Sequence, residues 1–286
     1  MGVEFRPVKG AFGCEIVGGD KTLAFDEPTF RAIEQAWFRH SFLLFRGLTM
    51  TPAQHVSFTR RLGPLHIMTP PQYNLPGLPE VFVVSNAVEE GREVGMKRVG
   101  LGFHTDGEDK VIPNAASFLH ALAVPPEGGD TIFADMYAAW DALPASTRAR
   151  VAGRSARFSR VELHHVHYPL EPALTDAQKR ARPDVFHPIA RRHPRSGRTA
   201  LYIGRWAIDV EGMAKDEGRA LVEQLQAHSR EERFQYRHRW RVGDALLWDN
   251  RCMLHCATGF DDSRHVRKMY RTTLEGDVPQ MAAAAA

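Results

Sequence analysis

Cysteine, lysine and long apolar runs are all scarce in this chain. Its three cysteines, Cys14, Cys252 and Cys256, form an odd count with neither the close pairing of a metal ribbon nor the density of a disulfide scaffold. That pattern fits a reducing compartment. No run of about 18 apolar residues occurs, and the opening MGVEFRPVKGAFG has no apolar signal core. A cytoplasmic protein with no membrane partner is the expectation. Charge of one sign never accumulates: 37 basic residues are scattered among 34 acidic ones, for a net charge of +3. With no basic block, no nucleic-acid partner is expected. Only seven basic residues are lysine, so the other thirty are arginine forks suited to carboxylates and other oxyanions.

With 286 residues, 43% of them hydrophobic, the chain can bury a substantial core. FRPV, GCEIVG and SFLLFRG read as strands. EPTFRAIEQAWFRH is a helix with Phe30, Ile33 and Trp37 on one face. Thr51, Pro52 and Gly63 punctuate a second helix, TPAQHVSFTRRLG. Five prolines make 64–80 irregular. VFVVSN, ASFLHALAV, TIFAD, ALYIG, FQYRHRW, GDALLWDN, MLHCA and KMYRTTLEG read as strands, and MYAAWDAL, PASTRARV and DEGRALVEQLQAHS as helices. Residues 155–187 lose periodicity apart from the charged, helix-like TDAQKRARP. Many short strands with few helices predict a mainly β fold with flanking helices, a double-stranded β-helix or jelly roll. There is no repeat and no linker. One domain over 1–280 is expected, with 281–286 (MAAAAA) set apart as a low-complexity tail.

The stretch GFHTDGEDK places His104 and Asp106 two apart. In a strand they would leave the same face with Cα atoms roughly 6.6 Å apart. His255, at the end of the strand-like run WDNRCMLH, supplies a third ligand, because a jelly roll brings distant strands side by side. Two histidines and one carboxylate suit a non-heme Fe(II) site with open positions and equally a catalytic zinc. Further on, RHVRKMYRTTLEG holds Arg267 and Arg271. On one strand face their Cα atoms would lie about 13 Å apart, which reads either as two anion sites or as two exposed charges on an edge strand. The cluster His164, His165 and His167 is either a surface group or a second metal site. Asn250 is a candidate to orient a ligand, and Cys256 beside His255 is a small buried thiol.

HTD at 104–106, PPEGGDTIFADMYAAWDALP at 125–144, HPIARRHPRSGRTALYIG at 187–204, YRHRWRVGDALLWDNRCMLH at 236–255 and RKMYRTTLEGD at 267–277 together resemble the taurine dioxygenase (TauD/TfdA) family of Fe(II)/2-oxoglutarate dioxygenases. The blocks occur in the family's order over most of the chain. The resemblance implies that His104, Asp106 and His255 bind Fe(II), and that Thr131 and Arg267 hold the distal carboxylate of 2-oxoglutarate. It also implies that Arg271 grips an anionic group of the substrate, with O2 as the other co-substrate. The implied reaction hydroxylates a small anionic organic substrate and releases succinate and CO2. Where the hydroxylated carbon bears oxygen, nitrogen or sulfur, that bond is cleaved.

A homo-oligomer is expected. Phe103 stands where the family commonly has tryptophan, and Gly107 to Lys110 replace its Ser-x-Phe. Met68 and Gly100 replace a histidine and an asparagine that contact taurine, so taurine is not the expected substrate. Met68, Tyr73 and Phe103 would leave room for a larger apolar body, while Glu108 and Lys110, if inward, would favour a zwitterion. The alternatives are a zinc-dependent hydrolase with the same three ligands, or a non-catalytic jelly-roll binding protein.

Overall fold

In Phe42–Phe45 every residue is buried, which requires cover on both faces of the strand. A computed structural model of the chain, describing residues 2–8, 12–97 and 99–283, supplies both covers. The largest sheet runs in the order Val3–Pro7, Cys14–Gly18, Phe42–Phe45, Ala245–Asp249, Ala116–Ala123, Lys268–Leu274, Leu78–Ser85, Asn74–Leu75. A smaller sheet, Gln235–His238, Thr131–Asp135 and Met253–Ala257, packs on one of its faces. There Phe42 stacks on Phe133 at 5.7 Å, and Trp248 meets the same ring edge-on at 5.5 Å. The helices Glu27–His40 and Pro52–Leu62 cover the other face.

Period-two alternation then sorts the side chains. Phe42, Leu44, Leu246 and Trp248 enter the core between the sheets, whereas Leu43, Phe45, Ala245 and Leu247 enter the core beneath the helices. The result is the expected jelly roll with helices outside.

The two covering helices begin where their caps dictate. The Asp26 carboxylate accepts from the Thr29 N–H at 2.9 Å, and Thr51 forms a capping box with Gln54 ahead of Pro52. Ile33 and Trp37 are almost fully buried, each contributing roughly 1.5–3 kcal/mol.

Three stretches depart from the sequence reading. Residues 155–187 contain the strand Ser155–Phe158 and the helix Arg160–His167 besides the expected Asp176–Arg180. The strand alternates over four residues only, with Ala156 and Phe158 buried and the outer-face Arg157 paired with Asp209, Glu162 and Asp184. ALYIG is strand only as part of Thr199–Leu201. At the C-terminal end, Gln280–Met281 pairs with Arg191–Arg192, while residues 284–286 of the expected tail lie outside the described residues. Among the described residues no helix is long and apolar enough to cross a membrane.

Candidate active site

His255 lies in the strand Met253–Ala257, and the chain leading toward Ala116–Ala123 crosses beside it. The His104 N–H donates to the His255 carbonyl at 3.0 Å, and the His255 N–H donates back at 2.8 Å. This isolated antiparallel bridge sets the two imidazole centroids 4.3 Å apart.

The segment 104–106 is not the strand that the i, i+2 spacing assumed. Asp106 opens a turn in which Gly107 has φ 76°, and hydrogen bonds rather than pleat aim its carboxylate. Ser117 Oγ donates to Asp106 Oδ2 at 2.5 Å, and the Asp106 N–H reaches Asn250 Oδ1 at 3.4 Å. Asn250 is itself fixed, accepting from Trp248 Nε1 at 2.9 Å and donating to Ser117 Oγ at 3.2 Å. Asn250 was a candidate in the sequence; Ser117 carried no signal, since only strand pairing brings it there.

A second clamp holds the same turn from outside. The buried Glu108 carboxylate accepts from the Thr105 N–H at 3.2 Å and the Trp206 N–H at 3.0 Å. Burial pushes it up to about 7 against the pull of those donors. A Cβ on Gly204 would fall 1.4 Å from Glu108 Oε2, so glycine is required there. Glu108 is thus structural, and it does not line the large cavity at the site.

His104 Nε2 and His255 Nε2 lie 3.8 and 4.0 Å from Asp106 Oδ1, and the ligand atoms of all three buried residues fall within 4.8 Å of one another. His104 Nδ1 donates to the Gly102 carbonyl at 2.9 Å, which leaves the lone pair on Nε2. Burial holds His104 down to about 3 and His255 to about 4, so both rings are neutral at pH 7. Burial raises the Asp106 carboxyl, but Arg271 and the two histidines pull it below the usual carboxylate range. Two neutral imidazoles and one carboxylate fit Fe(II), and as a donor set alone they fit zinc as well.

Arg267 and Arg271 are 8% and 6% exposed, and the strand Lys268–Leu274 is internal to its sheet. Exposed edge charges are thereby ruled out. Arg267 sits just before the strand, and buried Arg267, Met269 and Arg271 alternate with the less buried Lys268 and Tyr270, so the two arginines lie on one face, as their spacing predicted. Both line one cavity of about 40 Å³ with Thr131, His104 and His255. Arg271 Nη1 lies 3.3 Å from Asp106 Oδ1. Arg267 donates Nε–H to the Gly129 carbonyl at 3.1 Å and has no carboxylate in ion-pair distance among the described residues; burial lowers it to about 10 against the weaker pull of Asp130. Thr131 Oγ1 accepts from Trp240 Nε1 at 2.9 Å, so its own hydroxyl hydrogen is left to donate.

Across His104, Asp106 and Arg271 opens a cavity of about 470 Å³, within the ~300–1,000 Å³ range of small-molecule sites. Met68, Gly100 and Lys110 line it, whereas Phe103 and Tyr73 do not. Its far wall, with Arg160, Tyr168, Leu170, Arg205 and Trp206, was not read from the sequence. Of the histidine cluster, His167 lines the cavity, His164 bonds the Pro172 carbonyl and His165 is exposed, so the three do not converge on an ion.

His193, Asp249 and Cys252 also lie within ligand distance of one another, but hydrogen bonds close that group. His193 Nδ1 accepts from two backbone N–H groups, Nε2–H donates to Asp249 at 3.0 Å, and Arg251 grips both oxygens of Asp249.

Comparison with known proteins agrees with this geometry. The model of the taurine catabolism dioxygenase TauD, TfdA family matches residues 4–273. An alpha-ketoglutarate-dependent 2,4-dichlorophenoxyacetate dioxygenase of Cupriavidus pinatubonensis is 35% identical over 295 residues, covering 97% of this chain and 100% of the relative. An alpha-ketoglutarate-dependent sulfate ester dioxygenase of Pseudomonas putida is 30% identical over 287 residues, covering 97% and 91%. The crystal structure of AAD-2 in complex with Mn(II) and N-oxalylglycine matches with a TM-score of 0.81 at 28% identity, covering 98% of this chain and 99% of that one.

Proposed function

The chain belongs to the TauD, TfdA dioxygenase family, and we propose that His104, Asp106 and His255 hold the Fe(II) of a 2-oxoglutarate-dependent dioxygenase. Fe(II), 2-oxoglutarate and O2 together supply the oxidant for a C–H bond, with release of succinate and CO2. The residues do the rest. Asn250 and Ser117 keep Asp106 aimed at the ion, and the Gly102 carbonyl keeps His104 in the ligating tautomer. Thr131 and Arg267 receive the distal carboxylate of 2-oxoglutarate through a hydroxyl and a guanidinium fork. Arg271 faces the larger cavity and orients a small organic anion so that its reacting carbon sits over the ion. Hydroxylation at a carbon bearing oxygen, nitrogen or sulfur leads to cleavage of that bond. Relatives named for a phenoxyacetate and for sulfate esters support an anionic substrate.

The observation that carries this reading is the buried guanidinium of Arg267, with no carboxylate in ion-pair distance among the described residues, in the same small cavity as His104 and His255. A zinc hydrolase with these three ligands has no use for it. The same proposal places one dioxygenase domain over 1–280, in a homo-oligomer. It acts in the cytoplasm, where three buried, unpaired cysteines are at home.

Anaerobic Fe(II) with 2-oxoglutarate should give a weak visible charge-transfer band, and air should then release succinate. His255→Ala should lose the band and the succinate while melting cooperatively. A wild-type protein that binds Fe(II) without responding to 2-oxoglutarate would overturn the proposal.

A further inference from the structure

We propose that Lys110, seated by His66, is a second cationic anchor in the substrate cavity, so that with Arg271 the site selects a doubly charged head group. The inference rests on the dioxygenase reading above.

Lys110 Nζ lies 2.9 Å from His66 Nε2. An ammonium only donates, so the imidazole nitrogen accepts, which makes His66 neutral and leaves two Nζ–H groups free for other acceptors. Lys110 and His66 line the 470 Å³ cavity with Arg271. Among the described residues no carboxylate lies within ion-pair distance of Lys110. Burial disfavours its charge first, and Arg271 adds to that while Asp109 and Asp106 oppose it. His66 is held down by burial, then by Lys110 and, opposed by Glu275, by Arg271. The three basic side chains are therefore electrostatic neighbours at one end of the cavity.

Counting charge shows what is missing there. A divalent ion and Arg267 are balanced by Asp106 and the two carboxylates of 2-oxoglutarate. Arg160 is paired with Asp109 at 3.2 Å. Arg205 bonds the Leu101 carbonyl and the Tyr168 hydroxyl, with Glu171 on the same wall. With Asp106, which Arg271 touches at 3.3 Å, committed to the ion, Arg271 and Lys110 remain as two positive charges with no further carboxylate in ion-pair distance among the described residues. Like charges so placed repel unless an anion comes between them, and one that satisfies both carries two charges. A phosphonate or a phosphate monoester has that charge above neutral pH, and Met68, Phe82, Leu101 and Tyr168 offer an apolar and aromatic wall to its body.

The test uses protein loaded with Mn(II) and N-oxalylglycine, which binds without turnover, and calorimetry at pH 8 with phenoxyacetate and phenoxymethylphosphonate. The wild type should prefer the phosphonate by about tenfold or more, the change that one charge-assisted hydrogen bond gives. Lys110→Met should abolish that preference, losing mainly phosphonate affinity, and Lys110→Arg should keep it.

Equal or weaker wild-type binding of the phosphonate would overturn the proposal, and this comparison needs no variant. A preference that survives in Lys110→Met would overturn it too. Failure of the wild type to take up Mn(II) and N-oxalylglycine would instead sink the dioxygenase reading, so the two failures are distinct.

Discussion

Replacing Arg267 with methionine separates binding from stability. Burial lowers this guanidinium from 12.5 to about 10, which at about 1.4 kcal/mol per pH unit is a penalty of roughly 3 kcal/mol. Below pH 10 the folded and unfolded chains both hold the proton, so the folded state carries the full penalty at neutral pH. Methionine keeps much of the apolar stem and removes the charge; losing the bond to the Gly129 carbonyl costs about 1 kcal/mol. Ligand-free Arg267→Met should therefore gain about 2 kcal/mol and melt several degrees higher, at ~2–4 °C per kcal/mol.

Binding should move the opposite way. A carboxylate about 4 Å from the guanidinium gains about 4 kcal/mol at an effective dielectric near 20. Keeping only half of that as the net loss still weakens 2-oxoglutarate by about 30-fold. Anaerobic titration of the charge-transfer band and a melt of the ligand-free protein read the two effects. Affinity within threefold of wild type would remove Arg267 from the co-substrate site. Lost affinity in a protein that melts lower would leave the site standing but refute the claim that its charge is held against the fold.

Gly204→Ala should lower stability by about 2–4 kcal/mol and weaken Mn(II) binding, because its Cβ would fall 1.4 Å from Glu108 Oε2 and drive that carboxylate off Thr105 and Trp206. A melt within a degree of wild type would show the clamp to be dispensable. Arg271→Ala should keep 2-oxoglutarate binding within about threefold while losing coupled turnover of the anionic substrate; loss of 2-oxoglutarate binding as deep as in Arg267→Ala would put both arginines on one anion. His55 and His187 are held neutral by burial, down to about 3 and about 4. The unfolded chain, titrating near 6.5, then binds more protons as pH falls. Stability should be full above pH 6.5 and drop toward pH 4 by about 1.4 kcal/mol per pH unit for each histidine, and a denaturant midpoint equal at pH 7.5 and 5 would refute this.

What the sequence made legible is local. Glu27–His40, Pro52–Leu62 and Lys215–Ser229 each bury an apolar helical face, and caps mark the start of the first two, so their signals lie within one segment. Strand Ser155–Phe158 hid because its alternation spans only four residues, and the partners that hold its outer-face Arg157 come from three other places in the chain. The far wall of the substrate cavity was hidden likewise, since only the fold brings Tyr168, Arg205 and Trp206 against Leu101. The ligand pair His104 and Asp106 was found from a strand spacing that the chain does not use. A bridge to His255 and a turn at Gly107 converge the same two side chains, because two residues are too few to carry them apart.

The spacing of Arg267 and Arg271 was legible in a more useful way. On a regular strand the two would stand about 13 Å apart and serve two anions by distance alone. The structure keeps both on one face and brings both to one 40 Å³ cavity, so spacing alone does not separate their roles. Partners do it. Arg271 leans on Asp106 at 3.3 Å, and Arg267 leans only on a backbone carbonyl. A carboxylate that ligates a divalent ion has less charge left for a guanidinium, so Arg271 becomes a cation for an anion arriving on the side of the larger cavity, beside Lys110. Arg267, bonded to the Gly129 carbonyl, lines the smaller cavity with Thr131 and does not line the larger one. On the proposed reading, two guanidiniums that line one cavity serve different ligands through what each already touches, which is why Arg271→Ala is expected to spare the co-substrate.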